Sequence, residues 1–326
     1  MRAIVQHAYG SDPATVLRLE EVARPSPQRG EVLVEVVAAS VDRGTWHLMA
    51  GRPQLMRLMG FGLRRPKALN PGRAFAGTVV EAGADAGALQ PGDAVYGTAD
   101  GSFAEYVAAE VDKVAHKPRD LNFADAAAVP VSAVAALQAV RDQAHLEPGQ
   151  RALVVGASGG VGSFIVQLVK AYDGRVTGVA STGKLDLVRQ LGADEVIDYT
   201  QEDFADGQRT YDVVFDTGGN RPLSQVRRAL AHGGTLVVVG GENDGRWLGG
   251  FARNLRTVVL APAVRGQHLR SLTSKENAAD LDTLRALFDE GKLSSAVDRA
   301  FPLAETPAAI RYLMEGRVRG KLVVTM

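Results

Sequence analysis

The stretch Ala152-Leu-Val-Val-Gly-Ala-Ser-Gly-Gly-Val-Gly162 constrains this chain more than any other segment. An apolar run leads into Ala157-x-Gly159-x-x-Gly162, and an apolar face follows at Val161, Phe164, Ile165, Leu168 and Val169. That order predicts a strand, a tight turn and an amphipathic helix, with Ala in the first place of a G-x-G-x-x-G pattern. A glycine at 159 lets the backbone approach a pyrophosphate, and one at 162 lets the helix pack on the strand. The helix N-terminus then offers free N–H groups and the positive end of its dipole. Ala157, Ser158, Gly159, Gly160, Val161 and Gly162 are therefore candidate dinucleotide-binding residues. A glycine-rich turn with no ligand is the alternative, and the βα units that follow argue against it.

Beyond this loop, strands expected at Arg175–Ala180, Glu195–Asp198, Tyr211–Asp216 and Thr235–Gly240 alternate with helical patterns at Lys184–Leu191 and Pro222–Ala231. Such alternation predicts a parallel sheet covered by helices. The first 120 residues read differently, as short strands punctuated by Pro71-Gly72, Pro91-Gly92 and Gly97. The tail returns to two helices and a closing strand, Gly320–Thr325. The expected fold class is α/β: residues 1–122 with 265–326 form a mostly β unit, and residues 123–264 form an inserted doubly wound unit.

A site for NAD usually carries Asp or Glu about 20 residues past the loop, accepting from the ribose 2′-hydroxyl. No acid lies between Gly174 and Leu185; the strand ends in Ala180-Ser-Thr-Gly-Lys184. The Ser181 and Thr182 hydroxyls and the Lys184 ammonium suit a 2′-phosphate, so NADPH is expected over NADH. Helix capping by Ser181 or Thr182, and a solvated Lys184, are the plain alternatives.

Composition narrows the remaining classes. Lys plus Arg equals Asp plus Glu at 37 each, which gives no reason to expect nucleic acid or an anionic membrane as partner. The absence of cysteine excludes disulfides and thiolate metal sites. The six histidines show no ligand spacing, so no metal site is expected. Met1 to Pro13 lacks the apolar core of a signal peptide, and a cytoplasmic location is expected.

Several stretches resemble the medium-chain dehydrogenase/reductase superfamily, in its zinc-free, quinone oxidoreductase-like branch. They are Ala38-Ala-Ser-Val-Asp-Arg-Gly-Thr-Trp46, Pro71-Gly-Arg-Ala-Phe-Ala-Gly77, Pro91-Gly-Asp-Ala-Val-Tyr-Gly97, Phe103-Ala-Glu-Tyr-Val107, the glycine loop, Leu191-Gly-Ala-Asp-Glu-Val-Ile-Asp-Tyr-Thr200 and Arg319-Gly-Lys-Leu-Val-Val324. The resemblance implies a GroES-like N-terminal domain, a Rossmann cofactor domain and a cleft between them for nicotinamide and a small-molecule substrate. It also implies a homodimer paired through an edge strand near Arg256–Leu260. Lys184 and Tyr199 would meet the 2′-phosphate, Gly240 and Gly241 would line the nicotinamide, and Lys321 would lie near the cofactor. The position of the catalytic Cys in zinc-dependent relatives reads Asp42 here.

Without a metal, alcohol oxidation lacks its Lewis acid, whereas hydride transfer to a quinone or an α,β-unsaturated carbonyl needs less help. The candidate catalytic wall is Asp42, Trp46 and His47: a polar group, a pocket floor and a proton donor. Asp42 replaces a frequent Asn, Ala74 a frequent Asp and Ala135 a frequent Thr, which fits a specialised apolar substrate. The loop Met49–Lys67 carries Arg52, Arg57, Arg64 and Arg65, suited to an anionic substrate group or simply solvated. The expected activity is NADPH-dependent reduction of a quinone or enone. A biosynthetic enoyl reductase and a non-catalytic NADPH sensor are the alternatives.

Overall fold

Alternating apolar residues in the first third of the chain become seven strands: β1 (Arg2–Gln6), β2 (Leu17–Glu21), β3 (Glu31–Val41), β4 (Ala74–Ala82), β5 (Ala94–Thr98), β6 (Tyr106–Glu110) and β7 (Val114–His116). The computed structural model describes residues 1–240, 247 and 249–326. The middle of the chain supplies β8 (Arg151–Val155), β9 (Arg175–Ala180), β10 (Glu195–Asp198), β11 (Tyr211–Asp216), β12 (Leu230–Val238) and β13 (His268–Ser271). Two strands close the chain, β14 (Val297–Pro302) and β15 (Lys321–Thr325).

The first unit comprises Met1–Val134, Glu276–Glu290 and Ser295–Met326. Its main sheet runs β14-β15-β3-β4-β5-β7, with β6 also paired to β3. The long strand β3 organises it. Val32, Val34 and Val36 turn inward while Glu35 and Val37 face solvent, and from Ala38 to Val41 every residue is buried. Antiparallel β15 covers that second half, in the register Leu322↔Val41 and Val323↔Ser40. The helix Phe123–Ala127 packs on β3 and β4 and so belongs to this unit, although the sequence assigns it to the inserted one.

The second unit comprises Ala135–Lys275 and Gly291–Ser294. Its six strands pair in parallel in the order β10-β9-β8-β11-β12-β13. That is the doubly wound order, with β8 at the switch point and the glycine loop at its carboxyl end. Strand β13 lies beyond the expected boundary at 265, because its residues bond to β12 from Thr235↔His268 to Val238↔Ser271. The segment after Pro222 shortens to a helix over Leu223–Val226 and a 3₁₀ turn, and β12 starts at Leu230, ahead of expectation.

A second correction concerns Arg256–Leu260. Those residues are the end of a helix, Gly250–Leu260, and not an edge strand. Thr-Val-Val reads as a strand locally, yet the i, i+4 face wins. Thr257 is fully buried and donates to the Arg253 carbonyl at 2.9 Å, while Val258 and Val259 point to solvent. Arg253 pins the helix by pairing with the carboxylate of Asp216, itself 1% exposed, and donating to the Arg221 carbonyl at 2.6 Å. The edges of the parallel sheet are β10 and β13.

Candidate functional site

The glycine loop takes the form its spacing predicts. Gly156 closes the turn at φ +84°, where a Cβ would stand 2.5 Å from Thr217 Oγ1. At Gly162 a Cβ would lie 2.1 Å from the Gly156 carbonyl oxygen, so the helix can reach the strand only without a side chain there. Gly159 differs: it is extended (φ −85°), and a Cβ would meet nothing nearer than the Gly156 oxygen at 3.3 Å. It is the N-cap of the helix Gly160–Ala171 and supplies no capping side chain. First-turn amides are thus left for an outside acceptor, and the residues present fit a pyrophosphate. Ala157 and Ser158 are buried beneath the loop; Gly160 and Val161 open the helix. Gly240 follows β12 beside Thr217, whose carbonyl oxygen would be 3.6 Å from a Cβ there. Gly241 lies outside the described residues.

At the end of β9, Ser181 precedes a 3₁₀ turn (Thr182–Lys184) without capping it by its side chain. Tyr199 donates its backbone N–H to the Ala180 carbonyl at 3.2 Å and leaves half its side chain exposed beside that strand end. One residue escaped the sequence reasoning. Asp198, the last of β10, sits in register with Ala180 and brings a carboxylate to a strand end that has none of its own. Its oxygens are fully engaged. Oδ1 accepts from Thr200 N–H (3.0 Å) and hydroxyl (2.7 Å), and Oδ2 accepts from the Thr182 hydroxyl and Gln201 Nε2 (3.2 Å). The hydroxyls of Thr182 and Thr200 hold this carboxyl below the usual range. Thr182 is therefore committed to Asp198, whereas the Ser181 hydroxyl makes no capping bond. Only the parallel register, invisible in linear spacing, could have revealed Asp198.

In the first unit Asp42 follows β3 and caps the helix Arg43–Ala50. Its Oδ1 accepts from Thr45 N–H at 3.0 Å, and the Thr45 side chain reaches back to the Asp42 N–H at 3.4 Å. The other oxygen, Oδ2, is buried with no hydrogen bond. It faces Lys321 Nζ across 3.8 Å, because the β3–β15 register brings positions 42 and 321 opposite one another. Lys321 is 2% exposed and donates to Ser132 Oγ at 3.0 Å. Burial pulls its ammonium below the usual lysine range, and the Asp42 charge opposes that shift only in part. The structure thus places Lys321 against Asp42 and Ser132, a grouping that the sequence, which sets Lys321 beside a cofactor, does not disclose. Ser132 was missed because nothing near it in sequence marks it.

His47 and Trp46 take other positions. The Trp46 ring packs against the core of its unit and edge-on to His47, 5.2 Å between centroids. His47 Nδ1 bonds to the Arg52 carbonyl at 2.8 Å, tying the helix end to the next loop. Burial lowers its pKa below the ordinary 6.5, so the ring is neutral at pH 7 and is a poor proton donor there. Among the described residues no group of three or more His, Asp or Glu side chains is placed to hold a metal ion.

Comparison with known proteins agrees with this geometry. The family described as alcohol dehydrogenase GroES-like domain matches residues 28–119, and that described as zinc-binding dehydrogenase matches residues 191–324. A chloroplastic quinone oxidoreductase of Triphysaria versicolor is 31% identical over 343 residues, covering 99% of this chain and 98% of that one. A mitochondrial NAD(P)H oxidoreductase of Mus musculus is 35% identical over 193 residues, but the match takes in only 48% of that protein. The quinone oxidoreductase of Coxiella burnetii superposes with a TM-score of 0.84 at 30% identity, over 100% of this chain and 99% of that one. With two of these matches spanning both chains, the chain belongs to the medium-chain dehydrogenase/reductase superfamily, in its quinone oxidoreductase-like branch.

Proposed function

We propose that the protein is an NADPH-dependent reductase that delivers hydride to a quinone or α,β-unsaturated carbonyl without a metal, working as a homodimer. The observation that carries this reading is the glycine loop, whose uncapped helix end and open Gly159 suit a dinucleotide. Bound NADPH supplies the hydride, and the chain's own residues seat it and manage the proton. Lys184 and Tyr199 favour the 2′-phosphate, while the oxygens of Asp198 are already filled and cannot accept from a ribose hydroxyl. A conjugated acceptor takes negative charge onto its oxygen as hydride arrives and then needs a proton. Asp42 and Lys321 are the groups we assign to it. The buried ammonium gives up its proton more readily than a solvated lysine would; the facing Asp42 carboxylate takes it and passes it to the acceptor's oxygen, and the neutral amine then regains a proton from water. Relatives named for quinones support the choice of acceptor.

The test is NADPH consumption against 9,10-phenanthrenequinone, 1,4-benzoquinone and a 2-enone, with a primary alcohol and NADP⁺ as counter-case. Turnover of a quinone or the enone with no alcohol oxidation is expected; zinc-stimulated alcohol oxidation would overturn the proposal. Lys184→Ala separates the cofactors. Loss of one charge-assisted phosphate contact is expected to weaken NADPH roughly tenfold and NADH hardly at all. Equal loss for both in a fluorescence titration would remove Lys184 from the phosphate site.

A further inference from the structure

Between Asp42 and Glu81 the sequence holds seven Arg and Lys residues and no acid, although the whole chain is balanced at 37 against 37. Whole-chain neutrality hides this segregation. Three of the seven are occupied locally, Arg43 by donating to Met314 Sδ at 3.2 Å. Arg57 donates to the Gly51 and Ala50 carbonyls and stacks on Tyr9 at 4.3 Å, and Arg73 faces Asp100 and Glu276, each at 3.6 Å. By contrast Arg64, Arg65 and Lys67 are exposed, and among the described residues no carboxylate pairs with them.

The same turn displays apolar side chains. Leu58, Met59 and Leu63 leave 60–66% of their surface in water, and Phe61 leaves 39%. Their exposure is not a frayed end. Tyr9 Oη donates to the Phe61 and Gly62 carbonyls at 2.7 and 2.9 Å, and Lys67 N–H returns to the Phe61 carbonyl at 2.9 Å. Gly62, at φ +105°, permits the closure, since a Cβ there would lie 2.1 Å from the Arg65 oxygen. The result is a fixed apolar tip with a basic collar.

We propose that this turn, Leu58 to Lys67, docks the protein onto a bilayer surface that carries anionic phospholipid. Apolar side chains at a tip gain by entering the acyl boundary, and cations behind them gain from the headgroup charge. Water alone offers the exposed Leu58, Met59 and Leu63 nothing comparable. A second copy is the poorer occupant, because a two-fold contact would set this basic cluster against itself. Nucleic acid would leave the apolar tip without a partner. The docking requires only this surface and stands apart from the reductase reading.

Cosedimentation of the full chain with phosphatidylcholine vesicles, with and without phosphatidylglycerol, tests the assignment. Binding is expected only to the anionic vesicles and should fall at high salt. Combined Arg64→Ala, Arg65→Ala and Lys67→Ala should lower partitioning roughly a hundredfold, at about fivefold per cation. Leu58→Ser with Leu63→Ser should lower it at least roughly a hundredfold through lost insertion. Both variants should keep the parent melting temperature and NADPH affinity, and Arg24→Ala, a cation elsewhere on the same unit, should bind vesicles normally. Equal binding to neutral vesicles, or unaltered binding by either variant, would overturn the proposal. So would saturable binding of monomeric dodecyl phosphate with no vesicle preference, or a dimer that dissociates on Leu58→Ser.

Discussion

Gly159→Val is expected to abolish binding of NADPH and NADH alike, by roughly a hundredfold or more, with the fold intact. The local geometry separates ligand from scaffold. A Cβ at 159 meets only the Gly156 oxygen at 3.3 Å, on an extended backbone that any residue adopts. It would project where a pyrophosphate must approach the helix end. Gly162→Val is the contrasting variant: its Cβ would sit 2.1 Å from the Gly156 oxygen, and the strand–helix contact itself must open. Titration of cofactor fluorescence alongside thermal melts distinguishes the two. Gly159→Val should melt like the parent and bind nothing, whereas Gly162→Val should melt far lower. An unchanged dissociation constant for Gly159→Val would mean that the pyrophosphate sits elsewhere.

The second large effect is expected at Asp42. Asn caps helices as well as Asp does, so Asp42→Asn keeps the bond to Thr45 and deletes only the charge facing Lys321. That leaves a buried ammonium with Ser132 as its sole described partner. A loss of about 3 kcal/mol is expected at pH 7, at the low end for a broken buried pair because Asp42 retains 14% side-chain exposure. The pH dependence carries a sign. Lys321 in the folded protein titrates below its ordinary 10.5, so between those two values the unfolded chain holds more protons and stability rises with pH. Removing Asp42 drops the folded value further, so the variant sheds its penalty earlier and the gap to the parent narrows as pH climbs through that window. Urea unfolding at neutral and alkaline pH measures it; a gap that stays constant would mean that Lys321 is not the group responsible. Under the proposed proton route, kcat for a quinone or enone should also fall about a hundredfold in both Asp42→Asn and Lys321→Met. The NADPH affinity should hold. Parent-like kcat in both would assign the proton to solvent.

These two sites differ in how far sequence alone discloses them. The loop from Gly156 to Gly162 is local, and the glycines, the apolar run and the helix face all lie within a few turns of one another. Strands β8 to β12 were legible for the same reason, their βα rhythm being written in neighbouring residues. Asp42 was visible as a polar departure in a family-like stretch, but its partner arrives from the last strand through an antiparallel register. Asp198 is hidden likewise, since a parallel neighbour and not chain spacing sets it beside Ala180. The misreading of Arg256–Leu260 has another cause. The strand there was implied by the family resemblance, whereas the inward demands of Arg253 and Thr257 select a helix. The Arg-rich loop was noticed, but its apolar tip only becomes evident once exposure is known.

The position of β15 has a consequence for how the protein is made. The last five-residue strand, Lys321–Thr325, lies between β14 and β3, deep in a sheet whose other members are mostly synthesised first. A nascent chain can therefore complete the six parallel strands of the second unit while the first still lacks an interior strand. Until β15 has been made, β3 presents the backbone groups of Ala38–Val41 unpaired on one side, a sticky edge open to wrong partners. Synthesis of residues 321–325, more than any local nucleation event, then sets when that sheet closes. Loss of residues 321–325 would remove an interior strand and so cost the whole unit.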